Sequence, residues 1–294
     1  MVAVQTHNCG VLHVYIQGTM DRNGKTIVLT CHDVGTNYKT FVRFVNHPSM
    51  ADVKNKSIFL HVCVPGQEDN AADYIGDFPT LDNIAEDLTC VLDKFEVKVR
   101  TPLRFIFANA CLFQMENSNR ILGIILVHCT STTAGIFEYC KDKVINMRLE
   151  NDIMTDGAWE YLVTHKFGTK DRQIYVDQLK HTLNPRNLSK YLLAFTKRTD
   201  LSSSIGTKLD NVDTLLVSGS RASHLHTVYS TQKSMNRRKT TLLIVDNVAD
   251  VLQEAPDKMA RSFILLCKGC GVLSGVAIPG MERQRTLSRY EYLN

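Results

Sequence analysis

Short runs of apolar and β-branched residues recur along the chain and are separated by polar segments that contain turn residues. Runs with so little polar interruption are typical of strands that are buried on both faces of a mainly parallel sheet. The pattern predicts strands at Gly10–Gln17, Thr26–Cys31, Ser57–Val64, Ile121–Cys129, Val212–Ser218 and Thr240–Asp246.

Apolar residues at helical spacing lie between several of these runs. One face of residues 81–95 is apolar, and Thr80 precedes it as a candidate N-cap. Residues 103–115 form the next predicted helical stretch, and a last helix is expected to begin near Pro256 and to end at Gly269. Strands that alternate with helices in this way predict an α/β fold.

The middle of the chain has helical patterns but no convincing strand. One of its helices is expected to open at Asn184-Pro185. A helical insert between two sheet strands is typical of the cap of an α/β-hydrolase, so we predict an α/β-hydrolase-type, mainly parallel sheet with helices on both faces and a helical cap insertion. The predicted parts are a discontinuous core of residues 1–132 and 210–278, a cap of residues 133–209 and a flexible basic tail of residues 279–294.

Composition and charge narrow the class of protein. The 294 residues are 44% hydrophobic, which is enough for a large packed core. The net charge of +4 and the absence of a basic stripe interleaved with aromatics argue against nucleic-acid binding. The first residues do not resemble a signal peptide, and the longest apolar run, Ile121–Val127, is too short to span a membrane. Nine cysteines, an odd number, favour reduced thiols in a cytoplasmic protein, and peripheral association with a membrane stays open.

Four segments resemble the N-myc downstream-regulated (NDRG) family. Residues 29–39 read LTCHDVGTNYK and resemble the family's loop after its third strand. The resemblance continues in HVCVPGQE at residues 61–68, in FPTLD at residues 78–82 and in MERQRTLSR at residues 281–289. The match is good over residues 10–95, weaker but collinear through the rest of the sheet, and poor in the cap. The resemblance implies a fold related to α/β-hydrolases, no known hydrolytic activity, and roles in growth, stress and differentiation signalling.

The residues that an active hydrolase needs are not found at the expected places. Such enzymes present their nucleophile in a G-x-S-x-G turn between a strand and a helix, and this pentapeptide does not occur in the sequence. A fifth strand at Phe95–Val99, followed by a helix from Leu103, places Arg104 at the nucleophile position, and arginine stays protonated at neutral pH. Ser220 stands where the acid is expected and Val248 where the histidine is expected. We therefore predict no catalytic residues and no enzymatic activity.

Three other features of the sequence are candidates for chemistry. The loop His32-Asp33-Val34-Gly35 lies where hydrolases carry their oxyanion hole, but a structural turn, with a φ > 0 position at Gly35, is the favoured interpretation. Cys90 and Cys111 fall inside predicted helices and are interpreted as small buried residues. The pair Cys267/Cys270 is a lone C-x-x-C, and zinc sites usually need two such pairs, so neither a metal nor a cofactor is predicted.

The tail carries the clearest positive signal. Residues 283–288 read RQRTLS and fit the R-x-R-x-x-S pattern of basophilic kinases, so Ser288 is the predicted phosphorylation site and Thr286 a second candidate. A phosphate would add a charge of roughly −2 to a locally basic segment. The alternative is a basic tail that only improves solubility.

These features favour a non-catalytic protein of hydrolase fold that acts as an adaptor or regulator in intracellular signalling. Its expected partners are other proteins and a basophilic Ser/Thr kinase. Two alternatives stay open at this point: a sensor that binds a small molecule or lipid in the former substrate cleft, and a residual hydrolase with a non-standard nucleophile, either a cysteine or His32.

Overall fold

An eight-stranded sheet organises the molecule in the order β1-β2-β4-β3-β5-β6-β7-β8. The computed structural model describes residues 1–21, 24–97, 104–109, 121–133 and 182–281. The two strands at one end, β1 and β2, pair antiparallel, and β3 to β8 run parallel, which confirms the predicted mainly parallel sheet. The strands are β1 Val2–Gln5, β2 Val11–Gln17, β3 Thr26–Cys31, β4 Ser57–Cys63, β5 Arg104–Asn109, β6 Gly123–Val127, β7 Asp213–Gly219 and β8 Thr240–Val245.

Helices cover both faces of this sheet. Alternation along each strand sends successive side chains to opposite faces. Leu29 and Leu60 therefore pack in one apolar cluster with Ile84, while their neighbours Val28 and Phe59 pack in a second cluster on the other face. The helices are α1 Lys39–Val45, α2 Ala51–Asn55, α3 Leu81–Lys94, α4 Pro185–Thr196, α5 Ile205–Lys208, α6 Leu225–Ser234, α7 Val251–Glu254 and α8 Pro256–Gly269, with a 3₁₀ turn at Pro48–Met50.

Two helices begin where the sequence predicts. The Thr80 hydroxyl oxygen accepts from the Asn83 backbone N–H at 3.1 Å, and Asn83 Oδ1 accepts from the Thr80 N–H at 3.2 Å. This reciprocal pair is a capping box, which satisfies two backbone donors at the start of α3. At the start of α4, Asn184 Oδ1 accepts from the N–H groups of Arg186 and Asn187, and Pro185 occupies the first turn.

The prediction for the region around the fifth strand was wrong. Helix α3 ends at Lys94, and Phe95 and Val97 add to the apolar cluster on its face of the sheet instead of forming a strand. The fifth strand is Arg104–Asn109, inside the stretch that was predicted as helix, and it lies between β3 and β6. Aromatic and β-branched residues are abundant at positions 105–107, and such residues favour strands. The short edge strand β1 was missed altogether.

The long segment between β6 and β7 is joined at its two ends. The Leu201 N–H donates to the Ser131 carbonyl oxygen at 2.7 Å, and Arg198 Nε donates to the Thr132 carbonyl oxygen at 2.8 Å. We refer to these two contacts as the neck. Residues 134–181 lie outside the described part of the chain, as do residues 282–294, so the limits of cap and tail stay predictions. No helix in the described ranges is long and apolar enough to cross a membrane.

Candidate functional site

The carboxyl ends of the parallel strands meet at one edge of the sheet, which is where ligands bind in open α/β folds. Among the described residues, this edge is formed by the turns after β3, β4, β6, β7 and β8. Four of the positions singled out from the sequence can be located relative to it. They are the His32–Gly35 loop, Arg104, Ser220 and Val248.

His32 directly follows β3, and its ring is held by backbone groups. The Val64 N–H donates to His32 Nε2 at 2.9 Å, so this nitrogen carries no proton. The neutral ring then keeps its proton on Nδ1, which lies 3.0 Å from the Asp33 carbonyl oxygen and donates to it. The residue is only 1% exposed, and the Tyr191 hydroxyl of α4 donates to its carbonyl oxygen at 3.2 Å. His32 therefore holds the β3 and β4 turns together.

The remainder of the loop is a closed turn. Asp33 Oδ1 accepts from the Val34 N–H at 2.8 Å, and the Asp33 carbonyl oxygen accepts from the Thr36 N–H at 3.2 Å. Gly35 has a φ of +73°, which favours glycine. Because the Val34 N–H already donates to its neighbouring carboxylate, it is engaged within the turn. These contacts are compatible with the structural turn that is the favoured interpretation from the sequence.

The turn after β4 is supported by α4. The buried side chain of Asn187 donates from Nδ2 to the carbonyl oxygens of Gly66, at 3.0 Å, and Ala72, at 2.8 Å. Its Oδ1 accepts from the Tyr74 N–H at 2.7 Å. A Cβ atom at Gly66 would lie 2.8 Å from the Asn187 amide nitrogen, so this close approach requires glycine. We call these three hydrogen bonds the Asn187 clamp.

Ser220 and Val248 follow β7 and β8, as the sequence predicts for the acid and histidine positions. Ser220 Oγ accepts from the Asn247 N–H at 2.9 Å. The Val248 carbonyl oxygen accepts from the Arg221 N–H at 2.9 Å, and a Cβ atom at Gly219 would lie 2.1 Å from that oxygen. The backbones of the turns after β7 and β8 are thus in direct contact. The side chain at the predicted acid position is a hydroxyl, and the one at the predicted histidine position is aliphatic.

Arg104 does not lie where the sequence analysis placed it. It is the first residue of β5 and pairs with Ile27, near the start of β3, so it lies at the opposite edge of the sheet. The fifth strand was predicted at residues 95–99. The turn that would present the nucleophile was therefore predicted too early in the chain. The strand ends at Asn109, so the turn after it begins at residue 110, outside the described residues.

A histidine that was not predicted from the sequence also lies at this edge. His128 follows β6 with a φ of 50°, and its Nδ1 lies 3.1 Å from the hydroxyl oxygen of Ser218. A histidine that directly follows a buried strand is expected at this edge, so the sequence could have indicated it. The predicted strand ended at Cys129, however, and therefore included His128. Ser218 is fully buried within β7, so its hydroxyl is not presented to a substrate.

The thiols near this edge are held in their neutral form. Burial, and then the charge of Asp33, raises the pKa of Cys31 to about 12. Burial and the nearby Glu68 raise the pKa of Cys63 well above its ordinary value. At the opposite edge, beside the start of β6, burial likewise raises the pKa of Cys270 to about 11. A thiol with a raised pKa carries little thiolate at neutral pH and is a poor nucleophile. Cys111 lies outside the described residues.

Two other expectations concern metals and the tail. In the described ranges, no three histidine, cysteine, aspartate or glutamate side chains come together in a group that could hold a metal ion. The kinase-type motif, with Thr286 and Ser288, lies outside the described residues, so phosphorylation stays a prediction.

The fold belongs to the α/β-hydrolase class. An esterase from Thermogutta terrifontis superposes with a TM-score of 0.73 at 12% identity and covers 92% of this chain and 98% of its own. MGS-M2, an alpha/beta hydrolase enzyme from a deep-sea metagenome library, superposes with a TM-score of 0.65 at 12% identity and covers 87% and 94%. At such low identities the likeness establishes the fold alone, and it confirms the predicted fold class.

Within that class, the chain belongs to the Ndr family, whose model matches residues 2–274. The Caenorhabditis elegans protein "Uncharacterized protein ZK1073.1" is 74% identical over an alignment of 295 positions, which covers 98% of this chain and 90% of that protein. Protein NDRG1-A of Xenopus laevis is 25% identical and covers 94% and 72%, and an NDRG-like protein of Dictyostelium discoideum is 27% identical and covers 84% and 78%. The resemblance seen in the sequence is therefore confirmed.

Proposed function

We propose that this protein is a non-catalytic member of its fold class and acts as an adaptor or regulator in intracellular signalling linked to growth, stress or differentiation. The observation that carries the proposal is the state of His32. Its Nε2 accepts a backbone N–H, and its Nδ1 donates to a backbone oxygen. A general base must offer a nitrogen to the proton that it removes. His32 would have to break the turn after β4 to do so.

The residues predicted at the acid and histidine positions support the same proposal. Ser220 offers a hydroxyl and Val248 an aliphatic side chain at the positions where the sequence predicts the carboxylate and the histidine of an active hydrolase. The members of a triad work as one unit, so the loss of one already removes most of the rate enhancement. A surface freed from catalysis can be used to bind other proteins.

An activity panel tests the catalytic part of the proposal. The purified full chain is assayed with short p-nitrophenyl esters, an anilide and a thioester, with an active esterase as positive control and heat-denatured protein as background. We expect turnover no higher than background. Turnover that His128→Gln or Cys111→Ala abolishes, in a variant that unfolds at the wild-type temperature, would show a working nucleophile or base and contradict the proposal.

We infer that control comes from the tail, through a basophilic Ser/Thr kinase. Incubation of the full chain with such a kinase and ATP should place phosphate mainly on Ser288, with Thr286 as a minor site, as read by mass spectrometry. Ser288→Ala should remove most of the label, while the matched variant Thr286→Ala should keep it. Arg285→Ala should lower the labelling rate, because the kinase reads that arginine. Equal labelling of all three variants would rule out this site.

The adaptor role has its own readout. Phosphorylated and unphosphorylated full chains, immobilised at equal density, are compared for the cytoplasmic proteins that they retain. We expect at least one partner whose retention depends on the phosphate and is lost with Ser288→Ala. Identical retention by both forms would contradict control through the tail. The proposed location is the cytoplasm, without nucleic-acid binding, and peripheral membrane contact is compatible with it.

A second candidate, a sensor of a small polar ligand, is favoured by one side chain. Gln67 lies in the turn after β4, is fully buried, and neither atom of its side-chain amide forms a hydrogen bond with another described residue. Buried amides usually have a partner. Thermal-shift assays with short carboxylic acids, sugars and lysolipids would test this candidate. A compound that raises the melting temperature of the wild type but not of Gln67→Leu supports it, and uniformly unchanged melting temperatures exclude it for these compounds.

A further inference from the structure

The strand β8 lies at the end of the sheet, and its outer side is an edge. It pairs with β7 alone, and no other strand of the described residues lies beyond it. An edge strand presents unpaired N–H and C=O groups that can template a further strand. Since β8 has six residues and β1, at the opposite edge, has four, β8 offers the longer row of such groups.

The strand β8 itself carries no proline, no charge and no bulge, the features within a strand by which proteins protect an edge. Its sequence, Thr240-Thr241-Leu242-Leu243-Ile244-Val245, contains no proline and no charged residue. Edge strands in monomers usually carry one of these, or a bulge. Leu242, Leu243 and Ile244 are each partly exposed, although the strand is apolar enough for a core position. Burial of this edge against a complementary strand would therefore be favourable.

Charges flank β8 with opposite signs at its two ends. Arg237 and Arg238 precede the strand and are exposed, and Asp246 follows it and is exposed. A second β8 that runs antiparallel would place Asp246 of each copy opposite the 237–239 segment of the other. A parallel arrangement would instead oppose arginine to arginine. Charge complementarity thus selects the antiparallel arrangement.

We propose that β8 pairs antiparallel with β8 of a second copy of this chain, across a two-fold axis, to form one continuous sheet through both molecules. The two-fold arrangement is closed, because each copy uses its only β8 edge and the assembly stops at two. Pairing of β8 with the β1 edge of another copy would not close and would give open chains of molecules. The four-residue length of β1 makes that arrangement less favourable.

A charge-exchange experiment tests the proposal on the full chain. The dimer dissociation constant is measured by sedimentation equilibrium for the wild type, Arg238→Glu, Asp246→Arg and the double variant. Each single variant opposes like charges at two symmetric contacts and should raise the dissociation constant about tenfold. The double variant restores opposite charges and should return it to within about threefold of the wild type. Lys258→Glu, an equal charge change on the exposed face of α8, should leave it unchanged.

Amide hydrogen exchange gives a second readout that does not depend on charge. The outward N–H groups of residues 240–245 should exchange more slowly at concentrations where the dimer forms than at concentrations where it dissociates. A chain that is monomeric up to millimolar concentration would overturn the proposal. A dimer that both single variants leave intact would also overturn it, as would slow exchange of residues 240–245 in a monomer, since another segment would then cover the edge.

Discussion

His61, in the middle of β4, shows how one buried side chain can make stability depend on pH. Its Nδ1 lies 2.8 Å from the hydroxyl oxygen of Thr30 and accepts from it, and its Nε2 donates to Gln17 Oε1 at 2.9 Å. Burial lowers the pKa of His61 from 6.5 to about 3. The ring is therefore neutral in the folded protein at any physiological pH.

The lowered pKa predicts the direction of the pH dependence. The unfolded chain takes up a proton at this histidine below pH 6.5, while the folded protein does not until about pH 3. This group's contribution to stability is therefore complete above pH 6.5 and is lost as the pH falls toward 3. Between pH 7 and pH 5 the loss is about 2 kcal/mol. The free energy of unfolding of the wild type and of His61→Gln is measured with urea at pH 7 and pH 5. The decrease between the two pH values should be smaller in the variant by about 2 kcal/mol.

A matched control separates His61 from the other titrating groups. His7 lies in an exposed turn, so His7→Gln should keep the wild-type dependence of the free energy of unfolding on pH. An equal pH dependence in wild type and His61→Gln would contradict the prediction and would mean that the folded state accommodates the protonated ring.

Asp87 anchors a turn that is far from it in sequence. Its carboxylate accepts from the backbone N–H groups of His7, Asn8 and Cys9, at 3.2, 2.9 and 2.6 Å. Burial alone would raise the pKa of Asp87, but the donors of Cys9 and Asn8 outweigh it and hold the pKa below its ordinary value. The carboxylate thus fixes the β1–β2 connection onto α3.

Replacement of this carboxylate should be costly. Asp87→Asn places an amide NH₂ against backbone donors, and we expect a loss of about 2 to 3 kcal/mol in the free energy of unfolding at pH 7. Glu86→Gln, one residue away and exposed, should change it by less than about 0.5 kcal/mol. Chemical denaturation of both variants decides the matter. Equal and small losses in the two variants would mean that the turn is held by other contacts.

Single positions of the candidate site were predicted unequally well. Ser220 and Val248 lie in the turns after β7 and β8, as expected, because those strands are marked by apolar runs that end two residues before them. Arg104 does not, because a nucleophile position is defined relative to one strand end, and a strand misplaced by several residues moves it to the other edge. His128 was not predicted because the predicted strand ended at Cys129, two residues beyond the end of β6.

At the scale of elements, the Asn187 clamp shows how a helix outside the sheet fixes a turn of the candidate site. One amide forms three hydrogen bonds to residues 66–74, and the side chain is fully buried. Asparagine supplies both donor and acceptor from one planar group, so no aliphatic side chain can replace it. Sequence patterns indicated that α4 begins at Pro185 but could not indicate this long-range contact.

Removal of the clamp should loosen this turn locally. Asn187→Ala removes all three hydrogen bonds of this partly buried clamp, and we expect a loss of about 2 to 3 kcal/mol in the free energy of unfolding. Amide exchange should accelerate in residues 66–76, while exchange in β3 and β4 stays unchanged after correction for global stability. Lys197→Ala, exposed at the end of the same helix, is the control. Acceleration spread evenly over the sheet would contradict a local role.

Elements were predictable to the extent that burial marks them. The runs at β3 and β4 are buried at every residue, so continuous apolarity identified them. The region from Phe95 to Asn109 failed, because Phe95 and Val97 are buried by extending the face of α3 and their apolarity was interpreted as a strand. A short apolar run cannot by itself distinguish these two ways of being buried.

At the scale of the whole molecule, the fold class and the family were recoverable from the sequence, while partners and assembly were not. Alternation of strands and helices restricts the topology, because parallel connections are right-handed and short. The family followed from a long and specific motif after β3. The proposed association between copies depends instead on the unpaired backbone groups of an edge strand. These can be identified only once β8 is known to be the last strand of the sheet.

The neck formed by Ser131, Thr132, Arg198 and Leu201 has a consequence for how this molecule can vary. Because the two ends of the intervening segment are bonded to each other, the positions at which it leaves and rejoins the sheet are set independently of what lies between them. Insertions, deletions or exchanges between the start of this segment and α4 can therefore be absorbed without shifting the register of β6 against β7, provided that α4 and its Asn187 clamp are kept. The sheet can therefore stay the same in proteins that carry different segments between the neck and α4.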